Sequence, residues 1–178
     1  METVVAQNLN VVEEPEYIKM DLVIDSGAAD HVADTREAPG YEVTPSQGSR
    51  QGECWKTASG DLIPNRGEMI LDLQSGNSSI TSTFQVGALS RPLWSVSKLC
   101  DAGCTVTFDS KKAVVVHQAS GGQMTEFPRR GALYACDMLL RNPRNSGAKV
   151  QSPGPDSKCK DAPSNAGVRT SSFQRQGR

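Results

Sequence analysis

The sequence lacks several features that would assign it to a common class. Its 178 residues contain no apolar run of membrane-spanning length and no hydrophobic core of a signal peptide. The five cysteines are an odd number without a Cys-x-x-Cys pair, so we expect reduced thiols in a cytoplasmic protein. A zinc site formed by Cys100, Cys104 and His117 is a weaker alternative, because this spacing matches no common zinc finger.

Charge of both signs is present, but it is unevenly placed. From Arg141 onward, eight Lys and Arg face two Asp and Glu, a balance of +6, whereas residues 1–140 carry eleven against eighteen, a balance of −7. Residues 141–178 are rich in Pro, Ser, Gly and Asn without apolar periodicity, which predicts a disordered basic tail. Weak electrostatic contact with RNA is one role for this tail. A solubilising linker is the favoured one, because Phe173 is its single aromatic residue.

Short apolar segments alternate with turn residues between Met20 and about Met138. One helix is expected from Ser95 to Ala102, because its apolar residues share one side and Gly103 follows as a terminator. Many short strands with one short helix predict an all-β fold, a closed barrel or sandwich, of which we favour the barrel. The expected strands are 20–25, 52–57, 67–73, 79–86, 104–108, 112–117, 123–127 and 132–136.

The segment Leu22-Val-Ile-Asp25-Ser26-Gly27-Ala28 delivers a carboxylate from an apolar strand into a tight turn. Small residues there let backbone amides approach the carboxylate, although an ordinary Asx turn after a strand is the simpler alternative. Peptide hydrolysis by aspartates needs two carboxylates that share one proton. The sequence holds a single Asp-Ser-Gly, so a second Asp25 would have to come from a second copy in a homodimer.

Four segments in the same order resemble the retropepsins, the dimeric aspartic proteases of retroviruses and LTR retrotransposons. The resemblance is greatest to the copia-type retrotransposon proteases of Gag-Pol polyproteins, and it covers about residues 20–136. The segments are Ile24-Asp25-Ser26-Gly27-Ala28 with Asp30-His31-Val32, Leu93-Trp94-Ser95-Val96-Ser97-Lys98-Leu99, Ala102-Gly103-Cys104-Thr105-Val106-Thr107-Phe108, and Gly131-Ala132-Leu133-Tyr134.

The resemblance implies roles for matching positions. Asp25 would be the catalytic aspartate, with Ser26, Gly27 and Ala28 forming the active-site loop. Ser26 would brace the two loops across the dimer, and Gly27 would contact the substrate backbone. The hairpin expected at 53–64 would be the flap that closes over a bound peptide, although an ordinary surface hairpin is the alternative. Its candidate tip residues are Ala58, Ser59 and Gly60, and the candidate substrate-pocket residues are Asp30, Leu93 and Trp94.

Some positions depart from the retroviral pattern. Retroviral members usually have Gly at Ser95, Arg at Val96 and Asp at Ala29, so their Arg–Asp pair would be missing here. Copia-type sequences look like this chain at Ser95 and Val96. For Trp94, a place in the core is at least as compatible with an aromatic residue in a strand as a place in a substrate pocket.

The expected organisation has four parts and implies one main function. These parts are an acidic segment at 1–19, a protease domain at 20–108, a β-rich extension at 109–140 resembling the protease–integrase junction, and the tail at 141–178. The resemblance implies an aspartic endopeptidase, without metal or cofactor, that processes its own polyprotein in the cytoplasm or within virus-like particles. The alternatives are a catalytically decayed or domesticated module kept for dimerisation or peptide binding, and a nucleic-acid-binding fragment driven by the tail.

Overall fold

The computed structural model of the chain describes residues 15–57, 59–76, 78–119 and 121–146. Within these residues the structure is mostly β-sheet with a few short helices, as the alternation of strands and turns predicts. The elements in chain order are β1 Tyr17–Asp25, β2 Val32–Ala33, α1 Gln47–Gln51, β3 Cys54–Lys56, β4 Leu62–Pro64, β5 Glu68–Ser75, β6 Ser78–Val86, β7 Leu93–Ser95, α2 Val96–Asp101, β8 Cys104–Phe108, β9 Lys112–His117, β10 Gly122–Arg130, β11 Leu133–Arg141 and a 3-10 helix at Pro143–Ser146.

Nine of these strands belong to one sheet in the order β1-β7-β2-β6-β5-β11-β10-β9-β8. Strand β1 also pairs with β11, so six strands, β1, β7, β2, β6, β5 and β11, form a closed circuit of pairings. The pairs β1–β7 and β2–β6 are parallel, whereas the other pairings of the sheet are antiparallel. Strands β3 and β4 form a separate two-stranded hairpin.

The core follows from side chains that alternate between the two faces of each strand. On β5, Met69, Leu71 and Leu73 are buried, whereas Ile70 between them is exposed. Met20, Leu22 and Ile24 on β1 follow the same period of two, although Val23 between the last two is buried as well. Such alternation is expected of strands that cover a core with one face only. Trp94, Phe84 and Phe127 are the largest fully buried side chains.

The segment 109–140 shares this core with the segment before it. Strand β11 pairs with β1 along seven register positions, from Tyr17 opposite Arg141 to Val23 opposite Ala135, and it also pairs with β5. Its Met138 and Leu140 belong to the same hydrophobic cluster as Leu22 and Leu71. The extension therefore contributes a strand beside the one that ends at Asp25.

Helix α2 confirms the predicted helix, and Ser95 caps its N-terminus. The Ser95 Oγ accepts the Lys98 amide as the N-cap, and Gly103 follows the helix with φ of 82°. Leu99 is buried on the inner side of the helix. No sequence pattern predicts the short helix α1, because it has no buried apolar side chain that would give a helical periodicity.

Two sequence expectations need correction. The predicted start of the disordered tail at residue 141 is wrong, because Arg141 ends β11 and a 3-10 helix follows. The buried Asn142 also donates from Nδ2 to the Pro15 carbonyl at 2.9 Å. The expectation that all cysteines are reduced is wrong at Cys54, which is disulfide-bonded, whereas Cys100, Cys104 and Cys136 are free.

Other expectations fall outside the described part of the chain. They concern most of the acidic segment at 1–19, the tail beyond Ser146 with its contact to RNA, and Ala58 in the hairpin tip. Among the described residues, no helix combines the length and the hydropathy that crossing a membrane would require.

Candidate functional site

Asp25 occupies the end of β1, and a loop at residues 26–31 follows. This loop contains the predicted active-site residues Ser26, Gly27 and Ala28, and it is called the active-site loop after that prediction. It lies opposite Ser95 in the parallel pairing of β1 with β7. The preceding Ile24 is buried, which fixes the strand, whereas Asp25 itself is only partly buried. The Gly27 amide donates a hydrogen bond to Asp25 Oδ1 at 2.7 Å. A rigid strand thus presents an oriented carboxylate that a substrate could reach.

Gly27 also allows the loop to approach the carboxylate closely. A Cβ atom added at this position would lie 3.3 Å from Asp25 Oδ1, closer than most such contacts in proteins. A larger residue would therefore crowd the carboxylate, whereas the backbone conformation does not call for glycine, since Gly27 is not among the glycines with positive φ. This supports the sequence argument that small residues after Asp25 serve the approach of a backbone amide.

Two cavities meet at Asp25. The larger one, called the outer cavity, has a volume of about 480 Å³, and the smaller one, called the flap cavity, has about 130 Å³. Asp25, Leu89 and Leu93 line both. The outer cavity is otherwise lined by Val23, Ile24, Ser26, Ser90, Arg91, Phe108, Ala132, Leu133 and Tyr134. The flap cavity is otherwise lined by Ala28, Ala29, Asp30, Val32, Trp55, Lys56, Thr57 and Ile63.

The hairpin β3–β4 forms one wall of the flap cavity, and residues of the active-site loop line the same cavity. Its strands pair Trp55 opposite Ile63, and both residues line the cavity together with Asp25. The turn is closed by hydrogen bonds from the Thr57 amide to the Asp61 carbonyl at 2.9 Å and from the Gly60 amide to the Thr57 carbonyl at 3.0 Å. Gly60 has φ of 95°, which non-glycine residues rarely adopt. The predicted hairpin is therefore present, with Ser59 and Gly60 in its exposed turn.

Asp30 connects three elements around the flap cavity. Its Oδ2 accepts a hydrogen bond from Trp55 Nε1 at 3.3 Å, and its Oδ1 lies 3.4 Å from Lys98 Nζ on α2. The carboxylate therefore ties the active-site loop both to the hairpin and to the helix. An ion pair thus links the loop to α2, and Lys98 provides the positive charge of this pair.

His31 and Ser95 form a buried connection behind the loop. The Ser95 amide donates to His31 Nδ1 at 3.0 Å, and Ser95 Oγ donates to the Ala28 carbonyl at 2.7 Å. The imidazole packs against Phe84 and Trp94, with ring centroids 5.3 and 6.0 Å apart. Burial lowers the pKa of His31 to about 4; the Asp30 charge opposes this shift and the Lys98 charge adds to it.

The structure separates the candidate pocket residues. Asp30 and Leu93 line the flap cavity, whereas Trp94 is 1% exposed and packs against Phe127 in the core. The substrate-pocket expectation for Trp94 is thus replaced by the core alternative. Trp55, Leu89 and Lys98 also lie at the site, and no local sequence pattern predicts this, because their approach to Asp25 or Asp30 depends on tertiary packing.

The arrangement offers one oriented carboxylate in a partly apolar cleft. Among the residues that the structure describes, no group of three or more His, Cys, Asp or Glu side chains could hold a metal ion. Comparison of the chain with models of protein families, with curated proteins and with solved structures finds no match.

Proposed function

We propose that the chain is an aspartic endopeptidase of the copia-type retropepsin class, with a retropepsin-like closed barrel and Asp25 from each of two copies in one active site. The observation that carries this proposal is the setting of Asp25. The residue ends a buried strand, accepts the Gly27 amide, and lies beneath a hairpin at the junction of two cavities. An ordinary Asx turn would need neither the covering hairpin nor the adjoining clefts.

The circuit of strand pairings supports the barrel, since β1 pairs with both β7 and β11. The homodimer follows from chemistry. The chain has a single Asp-Ser-Gly, and hydrolysis by aspartates requires two carboxylates near one water. A two-fold axis beside Asp25 brings the second carboxylate without a second motif. Ser26, next to Asp25, is exposed and lines the outer cavity, which leaves room for that partner.

In this mechanism the unprotonated Asp25 takes a proton from a water molecule while the water oxygen bonds to the scissile carbonyl carbon. The protonated Asp25 of the other copy gives its proton to the carbonyl oxygen. In the collapse of the tetrahedral diol, the Asp25 that took the water proton gives it to the amine nitrogen, and the carbon–nitrogen bond breaks. The other Asp25 takes a proton from a diol hydroxyl, which restores the starting protonation of the pair. Gly27 holds the carboxylate in place through its amide, and closure of the hairpin excludes bulk water from the cleft.

The proposed substrate is an extended peptide segment of the retrotransposon polyprotein, cleaved in the cytoplasm or inside virus-like particles. An extended peptide suits a cleft between a hairpin and a strand end, because its backbone can bond to both sides. In the flap cavity, the apolar side chains of Trp55, Ile63 and Leu93 would take an apolar substrate residue beside Asp25.

The test is Asp25→Asn in the full-length chain, assayed on a peptide library at mildly acidic pH. An amide of nearly the same shape cannot act as the base, so we expect cleavage to fall by about 1,000-fold or more with the melting temperature little changed. Asp101→Asn, at the exposed end of α2, is the matched control and should retain wild-type cleavage. Cleavage by Asp25→Asn at near the wild-type rate would refute the proposal. A wild-type chain that binds peptides without cutting them would favour the decayed binding module.

A further inference from the structure

The hydrogen bond between Ser95 and His31 defines the state of the imidazole. A backbone amide can only donate, so His31 Nδ1, which lies 3.0 Å from the Ser95 nitrogen, must offer a lone pair. The ring is therefore neutral, and its proton is on Nε2. A protonated ring would place two donors against each other at this contact, and the connection would be lost.

Ser95 passes this connection on to the loop that carries the carboxylate. Its side chain is completely buried, and its Oγ donates to the Ala28 carbonyl at 2.7 Å. Ala28 follows Gly27, whose amide holds Asp25 Oδ1. Asp25 itself lies opposite Ser95 in the pairing of β1 with β7. His31, Ser95, Ala28 and Gly27 thus form a continuous path of contacts that ends at the carboxylate.

The surroundings of His31 keep the ring neutral. The rings of Phe84 on β6 and Trp94 on β7 pack against it, and the charged groups that act on it are Asp30 of its own loop and Lys98 of α2. Burial outweighs the attraction of Asp30, so the pKa of His31 falls to about 4. The connection is therefore intact under the mildly acidic conditions at which a carboxylate pair sharing one proton would work.

We infer that His31 is a positioning residue for Asp25, which acts by accepting the Ser95 amide and so holding the Ser95–Ala28 contact that orients the active-site loop. The kinetic part of this inference rests on the proposed peptidase. Its structural part, a neutral histidine that ties β7 to the loop, does not.

The kinetic test compares three variants of the full-length chain. His31→Leu removes the acceptor, and we expect kcat to fall about tenfold or more while KM changes by less than about threefold, because the loop rather than the substrate pocket is disturbed. His31→Asn places an amide oxygen near the position of Nδ1 and should restore kcat to within about threefold of the wild type. His117→Leu, in β9 and remote from the loop in the sheet order, is the control and should match the wild type.

The second test measures the connection by nuclear magnetic resonance without requiring activity. At about pH 6, the wild-type His31 nitrogens should show a bare Nδ1 and a protonated Nε2. Exchange protection of the Ser95 amide should persist as the pH is lowered and disappear near the pKa of about 4, whereas in His31→Asn it should persist below that pH.

A protonated Nδ1 at about pH 6 would overturn the inference, as would unchanged kinetics and unchanged Ser95 exchange in His31→Leu. If His31→Leu does not fold, the wild-type tautomer and the His31→Asn exchange data decide. If the wild-type chain cleaves no peptide while the bare Nδ1 is observed, the proposed peptidase fails and the structural connection stands.

Discussion

His31 makes the stability of the fold depend on pH in a defined window. Its pKa is lowered by burial from 6.5 to about 4, so the unfolded chain binds this proton at a higher pH than the folded chain. Folding stability from this residue is therefore complete above about pH 6.5 and is lost progressively as the pH falls towards 4. The pKa values of three carboxyl groups are lowered from the ordinary 3.8, those of Asp34, Asp109 and Asp137. Their contribution to folding stability is therefore lost mainly below about pH 3.8, outside the window in which His31 titrates.

We therefore expect urea denaturation to show wild-type stability decreasing between about pH 6.5 and 4.5 by about 1–2 kcal/mol, after allowance for partial exposure of the ring. His31→Asn cannot titrate there, so its stability should change less over the same interval. Parallel curves for the two proteins would show that His31 titrates alike in the folded and unfolded states.

Single residues differ in how far the sequence predicts them. The setting of Asp25 was predictable because it is local: a β-branched run, a carboxylate and small residues within seven positions determine it. The contact of His31 with Ser95 joins residues 64 positions apart, and no local pattern encodes it. Trp94 shows the same limit, because an aromatic residue in a short strand has the same sequence signal whether it faces a cleft or the core.

Among the described residues, a side-chain hydrogen bond from Trp55 Nε1 to Asp30 Oδ2 at 3.3 Å joins the hairpin β3–β4 to the active-site loop. Its own turn is closed by Thr57, which bonds to Asp61 through both the backbone and the side chain. The turn of the hairpin is thus stabilised locally, while Trp55 connects the hairpin to Asp30 and Cys54 on the same strand is disulfide-bonded.

Trp55→Phe should therefore loosen the hairpin and leave the aromatic wall of the flap cavity in place. We expect KM to rise about fivefold with kcat nearly unchanged, because the lost bond contributes about 1 kcal/mol to closure over the substrate. Amide exchange at Thr57 and Gly60 should become faster. Leu62→Ala, exposed on the paired strand β4 and lining neither cavity, is the control, and an equal rise of KM there would assign the effect to general disturbance of the hairpin rather than to the lost bond.

Elements with their own turn or capping signals were predictable, and those formed by tertiary pairing were not. The hairpin follows from Gly60-Asp61, and α2 follows from Ser95 and Gly103. Strand β2 has only two residues, and it exists because Val32 and Ala33 pair with β6 and β7. Helix α1 has Ser46 and Gly52 as caps but lacks an apolar face, so a propensity argument has little to detect.

For the whole molecule, the all-β class followed from the spacing of short strands, whereas the strand order did not. Strand β11 extends to Arg141 and lies beside β1, although Asp137 and its register partner Asp21 are 116 positions apart in the chain. Register positions such as Met138 opposite Met20 are fixed by burial of both side chains against one core. The turn before β11 consequently places Leu133 and Tyr134 beside Asp25 in the outer cavity.

Two large apolar residues of the outer cavity, Leu133 and Phe108, are exposed, with 41% and 40% of their surface accessible. The centroid of the Phe108 ring lies 5.1 Å from that of Tyr134. If two Asp25 carboxylates meet at a two-fold axis, this surface must lie close to the partner copy. Leu133→Glu should then weaken dimerisation about tenfold or more, and specific activity should fall on dilution sooner than in the wild type.

Ile70→Glu is the matched control for this prediction, because Ile70 is 61% exposed on β5 and lines neither cavity. Sedimentation and a dilution series of activity measure the two variants together. Recovery of Leu133→Glu activity at high protein concentration would separate lost association from a damaged cleft, since only association depends on concentration. Specific activity that stays constant down to monomeric concentrations would contradict both the shared site and the requirement for a second Asp25.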